Sequence, residues 1–314
     1  MNISEKAQQL IKDQQKDWDL ARVNYAGLKS VEERRLAFEG FDLLVQFNPK
    51  RIRSSAAKVD ALSIEARPCF LCRQNLPHEQ TGIPFGDHYL ILVNPFPIFN
   101  EHLTITHIHH TDQRIADKFM DMLSLAKALE YFTVFYNGPK CGASAPDHFH
   151  FQAGNKGFMP IERDYKKGSF FHDSYEKKGV EIIVWTDYLR PVLTLSGRDP
   201  EALNGIFQSY FNILKSLQPQ EPEPMINILA SWQNSRWAIH LFPRKLHRPW
   251  QFFESDEKQI LLSPASVDLG GVLITPRDED FMKISMADAK DILEQVCLDE
   301  TVFRATVKDL ISKL

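Results

Sequence analysis

Residues 137–152 read NGPKCGASAPDHFHFQ. On a strand, side chains alternate between faces, so His148, His150 and Gln152 share one face while Phe149 and Phe151 take the other. Phenylalanine beneath and two imidazoles with an amide above describe a polar site built over a core. The preceding loop holds Gly138, Gly142 and Ser144. Small residues let the backbone approach a bulky anion, and the N–H groups of such a turn can cradle phosphate. A neutral imidazole is a nucleophile toward phosphorus, and attack on the α-phosphorus of a nucleotide gives a nucleotidyl-histidine that a second acceptor then relieves. One ring nitrogen attacks, so the other has to be held by a hydrogen bond. Gln152 suits phosphate stabilisation, because an amide donates without titrating. The bland alternative is an ordinary strand with two surface histidines; the glycine and serine loop and Gln152 argue against it.

A sheet must position this stretch, and the surrounding sequence supplies its elements. HYLILVNPFPIFNEHLTITHIHH (88–110) has the pattern of a hairpin. Ile115, Phe119, Met122, Leu123, Ala126 and Leu129 have helical spacing over 113–129. Strands are expected at 131–136, 148–153, 181–185, 192–196, 226–231, 237–243 and 270–276, with a polar loop over 154–179. Helices are expected over 3–17, from Asp199-Pro200 to about Leu217, from Ser285 to Gln295, and at the end of the chain. The class is α+β, with antiparallel hairpins rather than βαβ units. HLTITHIHH (102–110) and IHLFPRKLH (239–247) have the same shape, a β run entering a polar turn that ends in histidine, and each follows another β run. This suggests two similar halves, 1–218 with the HxHxQ stretch and 219–314 as a degenerate repeat, divided at the proline-rich PQEPEPM (219–225).

Composition narrows the class. The chain has 314 residues, 43% hydrophobic and 25% charged, as in a globular protein of one large or two ordinary domains. A net charge of −4 offers no basic field for nucleic acid, and no basic patch with interleaved aromatics points to RNA. The first twenty residues lack the apolar core of a signal peptide, and no run approaches the roughly 20 apolar residues of a membrane span. Four cysteines, two of them in a CxxC, make no disulfide framework. A cytoplasmic protein is expected.

The pattern N-G-x3-G-x-S-x3-H-x-H-x-Q resembles the active-site signature of the histidine triad superfamily. More narrowly, it resembles the branch holding galactose-1-phosphate uridylyltransferase, diadenosine tetraphosphate phosphorylase and the GDP-hexose phosphorylases. The resemblance implies two histidine-triad-like halves, antiparallel sheets flanked by helices, with the motif in the first half alone. It implies His150 as nucleophile, Gln152 on the transferred phosphate, and Asn137, Gly142 and Ser144 in the phosphate loop. His148 would be the supporting histidine, a zinc ligand in the uridylyltransferases. Phe149 stands where those enzymes usually have proline, and Gly154 stands where small hydrolases of the superfamily often have another histidine.

Cys69 and Cys72 form a CxxC that by itself is redox, metal-binding or incidental. PCFLC (68–72) resembles the uridylyltransferase zinc motif, which the phosphorylases generally lack. A structural zinc would then need two further ligands. His110, closing a run where the superfamily commonly has histidine, and His148 are the candidates, with His107 and His109 as rivals.

Three other stretches bear on phosphate. QFNPKRIRSSAAK (46–58) places Arg51, Arg53 and Lys58 where guanidinium forks suit phosphate oxygens, and it loosely resembles a GDP-hexose phosphorylase segment at Gln46, Asn48 and Arg51. Arg244 and Lys245 resemble the Pro-Arg that follows a strand in the second half of the dinucleotide phosphorylases. DLGGVLITPRDEDF (268–281) has the layout of a C-terminal stretch of the GDP-hexose phosphorylases. The implied activity is nucleotidyl transfer from a dinucleotide polyphosphate or nucleotide sugar to phosphate. The alternatives are transfer to a sugar phosphate and a non-catalytic nucleotide-binding module. The resemblance alone is the ground for expecting a homodimer.

Overall fold

The computed structural model describes residues 1–52 and 60–314. Arg53 and Lys58, two of the expected phosphate ligands, lie outside the described residues. Strands in chain order are β1 (Glu32–Ala37), β2 (Asp42–Phe47), β3 (Gly82–Phe85), β4 (Tyr89–Val93), β5 (His102–His107), β6 (Phe132–Asn137), β7 (His150–Asn155), β8 (Phe171–Lys177), β9 (Val180–Trp185), β10 (Val192–Gly197), β11 (Ile226–Gln233), β12 (Arg236–Pro243) and β13 (Val272–Thr275). Ten of them form one antiparallel sheet in the order β3-β4-β5-β7-β6-β11-β12-β10-β9-β8. The other three form a small sheet, β1-β2-β13.

The large sheet is a repeat. Three strands run as a meander, a helix crosses over (Phe119–Ala128 or Pro200–Leu217), and a hairpin returns with its second strand beside the third. The two sets meet where β6 pairs β11 antiparallel, Asn137 opposite Asn227. The expectation of two similar halves holds, but the matching of strands is different. HLTITH is β5 and corresponds to β10, not to the β12 run with which its pattern was matched. Both are apolar strands entering polar turns, and pattern alone cannot tell a third strand from a fifth. The second set opens at Phe171, so residue 219 lies inside it, between the crossover helix and β11. The proline-rich run marks that loop. Register shows what stands in the place of the motif in the second set. Thr104 of β5 faces Gln152, and Thr194 of β10 faces His240. Two residues before His240, in the place of His150, stands Ala238.

Phe149 and Phe151 do turn to the opposite face from the histidines. Their rings meet edge to face at 4.9 Å in a core with Tyr136 and the helices Ile3–Asp17, Asp19–Gly27, Phe119–Ala128, Pro200–Leu217 and Glu300–Lys313. Burying each ring contributes about 1.5–3 kcal/mol. The histidine face is roofed by the small sheet, whose Leu43, Val45 and Leu273 share a second core with Phe99, Phe135, Trp185 and Phe242. Two expectations change locally. Residues 154–179 are not all loop: Pro160–Lys167 is a helix, with proline in its first turn and Gly168 ending it at φ +67°, and β8 follows. The alternation of β8 is hidden because it is an edge strand facing solvent for most of its length. The helix expected from 113 begins at Phe119, because Gln113 and Ile115 are held in other hydrogen bonds. No helix among the described residues is long and apolar enough to cross a membrane.

Candidate active site

His150 opens β7 and lines a cavity of about 610 Å³. Its Nδ1 lies 2.8 Å from the backbone oxygen of His148. A carbonyl only accepts, so the ring proton sits on Nδ1 and the Nε2 lone pair is left for the cavity. Burial pushes the imidazole down to about 4, so it is neutral at pH 7. Its backbone is clamped by Gln113, which accepts from the His150 N–H (2.8 Å) and donates to the carbonyls of His150 (2.9 Å) and Asn137 (3.0 Å). The start of β7 is thereby tied to the end of β6.

Gln152 is oriented by a second constraint. The Ile98 N–H donates to His102 Nδ1 at 3.1 Å, which puts the proton of His102 on Nε2. That proton is donated to Gln152 Oε1 at 3.0 Å, and Asn94 Nδ2 lies 3.3 Å from the same oxygen. With Oε1 doubly engaged, the NH2 group of Gln152 is left for the cavity. His102 is fully buried, and burial with the nearby Arg51 charge pushes it down to about 3, so it holds one tautomer.

The loop before β7 closes beside these groups. Gly142 has φ +91°, and a Cβ there would stand 2.5 Å from the Cβ of Ala265. Glycine is required both by conformation and by close approach. Ser144 lines the large cavity and an adjoining one of about 60 Å³. Asn137 lines the small one, its Oδ1 accepting from Asn227 Nδ2 and the Ser266 N–H, both at 2.8 Å. Arg51 lines both. Its Nη1 donates to the Phe96 carbonyl at 2.7 Å, while Nε is buried without a partner among the described residues. Arg67 lies over the Phe70 ring (4.8 Å to the centroid) and pairs with Asp147 at 3.1 Å. Leu92, Pro95, Phe96 and Phe70 give the large cavity apolar walls around this polar floor, the usual make-up of a site for a small organic ligand.

Three expected phosphate ligands are placed elsewhere. Asn48 is buried and donates to the Pro97 carbonyl, supporting the β4–β5 loop from behind. Arg244 is fully buried and donates to Asn227 Oδ1 and to the carbonyls of Pro264, Leu246 and His247. It staples loops together, so it leaves the phosphate-binding set. Lys245 points to a different cavity and pairs with Asp299. Gln113, His102, Asn94, Arg67 and Phe70 were not anticipated. His102 reaches the site by the pairing of β5 with β7, and the other four lie in loops and turns that folding brings beside it, which short-range spacing does not encode.

A cluster of metal-ligand type adjoins the site. His148 donates from Nε2 to the His107 carbonyl at 2.8 Å, leaving Nδ1 toward Cys69 Sγ (3.3 Å) and Cys72 Sγ (3.5 Å). Cys72 Sγ lies 3.2 Å from His110 Nδ1. The four ligand atoms all lie within 4.8 Å of one another. Tetrahedral zinc, with Zn–S about 2.3 Å and Zn–N about 2.0 Å, holds its ligands about 3.3–3.8 Å apart, so the donor set fits. Neither rival belongs to this group among the described residues, and His107 Nδ1 is engaged with the backbone of His109.

Two family models tile the chain. Residues 10–155 match the family described as Domain of unknown function (DUF4922), and residues 160–314 match GDPGP1-like, C-terminal domain. No curated protein matches the sequence. Among solved structures, yeast Ap4A phosphorylase Apa2 in complex with AMP superposes with a TM-score of 0.59 at 18% identity, over 90% of this chain and 97% of that one. The same enzyme in complex with Ap4A gives 0.58 at 18% identity, over 89% and 96%. At that identity the likeness is one of fold. Residues 160–314 thus carry a GDPGP1-like, C-terminal domain, and the chain has the fold of yeast Ap4A phosphorylase.

Proposed function

We propose that the chain is a nucleotidyltransferase working through a nucleotidyl-His150 intermediate, with a dinucleotide polyphosphate or nucleoside diphosphate hexose as donor and phosphate as acceptor. The observation that carries this reading is the hydrogen bond from His150 Nδ1 to the His148 carbonyl, which aims a neutral Nε2 at the cavity. In the first step Nε2 bonds to the α-phosphorus, and the bond from phosphorus to the bridging oxygen breaks. The leaving phosphate or sugar phosphate departs with the electron pair. In the second step an acceptor oxygen attacks the same phosphorus and the pair returns to Nε2. Gln152 donates its NH2 group to a non-bridging oxygen, and Arg51 adds positive charge. The apolar walls take the nucleoside. Sugar phosphate as acceptor remains the second form of the same chemistry.

Cys69, Cys72, His110 and His148 would hold a zinc ion, whose contribution there is structural cross-linking. The residues it would fix matter to the site: His148 supplies the carbonyl that orients His150, and Phe70 in the same loop forms a cavity wall.

The test is intact-protein mass after incubation with a panel of nucleotide sugars and dinucleotide polyphosphates, without acceptor. A gain of one nucleoside monophosphate that disappears in His150→Gly supports the covalent step and names the base. A protein that binds nucleotide yet never forms an adduct would instead be a binding module.

A further inference from the structure

Glu223 is a carboxyl group that the proposed chemistry leaves unused, and it is only 3% exposed. It stands in the proline-rich run that leads into β11, so it belongs to the second set of strands. Its side chain reaches into the first. Oε2 accepts from the Ile115 N–H at 2.5 Å, and Oε1 lies 2.6 Å from the Tyr136 hydroxyl. That hydroxyl also lies 3.2 Å from the Gln113 carbonyl. Residues 113–115 are therefore fixed at both ends. The side chain of Gln113 in turn holds the backbone N–H and carbonyl of His150. Two fully buried residues, Tyr136 and Gln113, thus join Glu223 to the start of β7.

Protons along this path do not balance in every state. Glu223 Oε1, the phenol oxygen and the Gln113 carbonyl oxygen make two contacts. With Glu223 ionised, only the phenol supplies a proton, because a carbonyl cannot donate. The carboxylate is the stronger acceptor and takes that proton, so the Gln113 contact has none. With Glu223 protonated, Oε1 donates to the phenol oxygen, the phenol donates to Gln113, and Oε2 still accepts from Ile115. Only the neutral acid turns every contact into a hydrogen bond. Burial acts in the same direction and raises the carboxyl to about 7. Arg114 and Asp117, on the segment that Glu223 holds, act on it in opposite senses and are paired with Asp112 and Lys118, each at 2.9 Å. Nearby, Glu221 pairs with Lys140 at 2.7 Å. Burial pushes the Tyr136 phenol well above its usual range and the Cys141 thiol up to about 12, so both stay neutral where Glu223 titrates.

We infer that Glu223 is a positioning residue for His150, a buried acid whose proton completes the path through Tyr136 and Gln113 and whose ionisation breaks it. The inference rests on the nucleotidyl-His150 reading for its consequence in turnover. Above about pH 7 the Gln113 carbonyl loses its donor, the clamp on β7 loosens, and Nε2 is less often in line with the phosphorus. The second set, with Ala238 in the place of His150, thereby acts on the histidine of the first.

The test begins with amide NMR of the full-length protein, which needs no turnover. The His150 amide and the Gln113 side-chain NH2 resonances should move with a midpoint near pH 7. Glu223→Gln supplies the neutral form permanently: its NH2 donates to the phenol and its oxygen accepts from Ile115. That inflection should vanish in it, with the low-pH positions kept. Tyr136→Phe keeps the ring in the core and cuts the path, so the Gln113 NH2 should stop following pH. No inflection in the wild-type protein, or one that persists in Glu223→Gln, overturns the inference. A nucleoside diphosphate hexose has no ionisation of its own near neutrality. With it as donor, adduct formation at His150 should slow about tenfold from about pH 6 to about pH 8.5, the effect of losing one hydrogen bond. Glu223→Gln should hold the low-pH rate throughout. A carboxyl that only stabilised the fold would move Tm with pH and leave the adduct rate flat, and a flat rate overturns the positioning role. A wild-type protein with the inflection but no adduct at any pH retains the path and refutes the covalent mechanism.

Discussion

Gln152→Glu isolates the role of the amide. The substitution keeps the shape of the side chain and leaves one oxygen to accept from His102 and Asn94, so the local hydrogen bonds survive. What changes is the atom left for the cavity, a donor NH2 becoming a carboxylate oxygen. Losing one preorganised donor to a developing charge costs about 3 kcal/mol, a factor of roughly 10²–10³ in rate. The new charge adds repulsion against the phosphate: two unit charges 4 Å apart interact by about 4 kcal/mol at an effective dielectric of 20. Arg51 offsets part of this and keeps the carboxylate ionised. Adduct formation at His150 should therefore slow at least about 10³-fold, read by rapid quench and intact-protein mass. Gln152→Ala removes the donor without adding charge and should slow it about 10²-fold. The glutamate variant should melt within a few degrees of the parent, which separates chemistry from folding. If Gln152→Glu forms the adduct within threefold of the parent rate, the amide does not face the phosphate and the orientation derived from His102 is wrong.

Three further outcomes follow from the same geometry. Metal analysis of the purified protein should find about one equivalent of zinc, and Cys69→Ser should lose it and lower Tm by several degrees, since structural zinc binding is part of the folding free energy. Arg244→Met strands the four acceptors that this buried guanidinium serves, so urea denaturation should show a loss of about 3 kcal/mol or more, while Lys245→Ala, removing a solvent-facing pair, should change stability by less than about 1 kcal/mol. Glu223 accepts from the Tyr136 hydroxyl and the Ile115 N–H, yet burial raises its carboxyl from 4.5 to about 7. The folded state then holds a proton that the unfolded state has released, so this group's contribution is full below pH 4.5 and is lost as pH rises through about 7. The span amounts to about 3 kcal/mol, and Glu223→Gln should flatten that part of the stability profile in denaturant melts between pH 4.5 and 8.

The local chemistry was open to reading in one dimension. Period-two alternation placed Phe149 and Phe151 in the core and left His148, His150 and Gln152 on the other face, because strand geometry fixes that without tertiary information. Cys69, Cys72, His110 and His148 were legible as a set through a motif and its resemblance. The repeat was legible as an idea but not in its matching: β5 and β12 look alike along the chain, and only hydrogen-bond register shows that β5 corresponds to β10. Arg244 shows the opposite limit. An arginine after a strand reads as a phosphate ligand, whereas burial and four acceptors decide that it is a staple.

The sequence by itself determined residue types at short spacing: the imidazoles, the amide, the glycine that alone tolerates φ +91°, and the thiols of the CxxC. Tertiary structure alone decided protonation and aim. His150 turns an unprotonated Nε2 to the cavity because its Nδ1–H is donated to the carbonyl two residues earlier. Gln152 is a donor because His102, fifty residues away in the chain, takes its oxygen. Gln113, from the loop after β5, holds the start of the strand. Hydrogen bonds and cavities form between segments brought together by folding, and nothing in the local order of residues specifies which segments those will be.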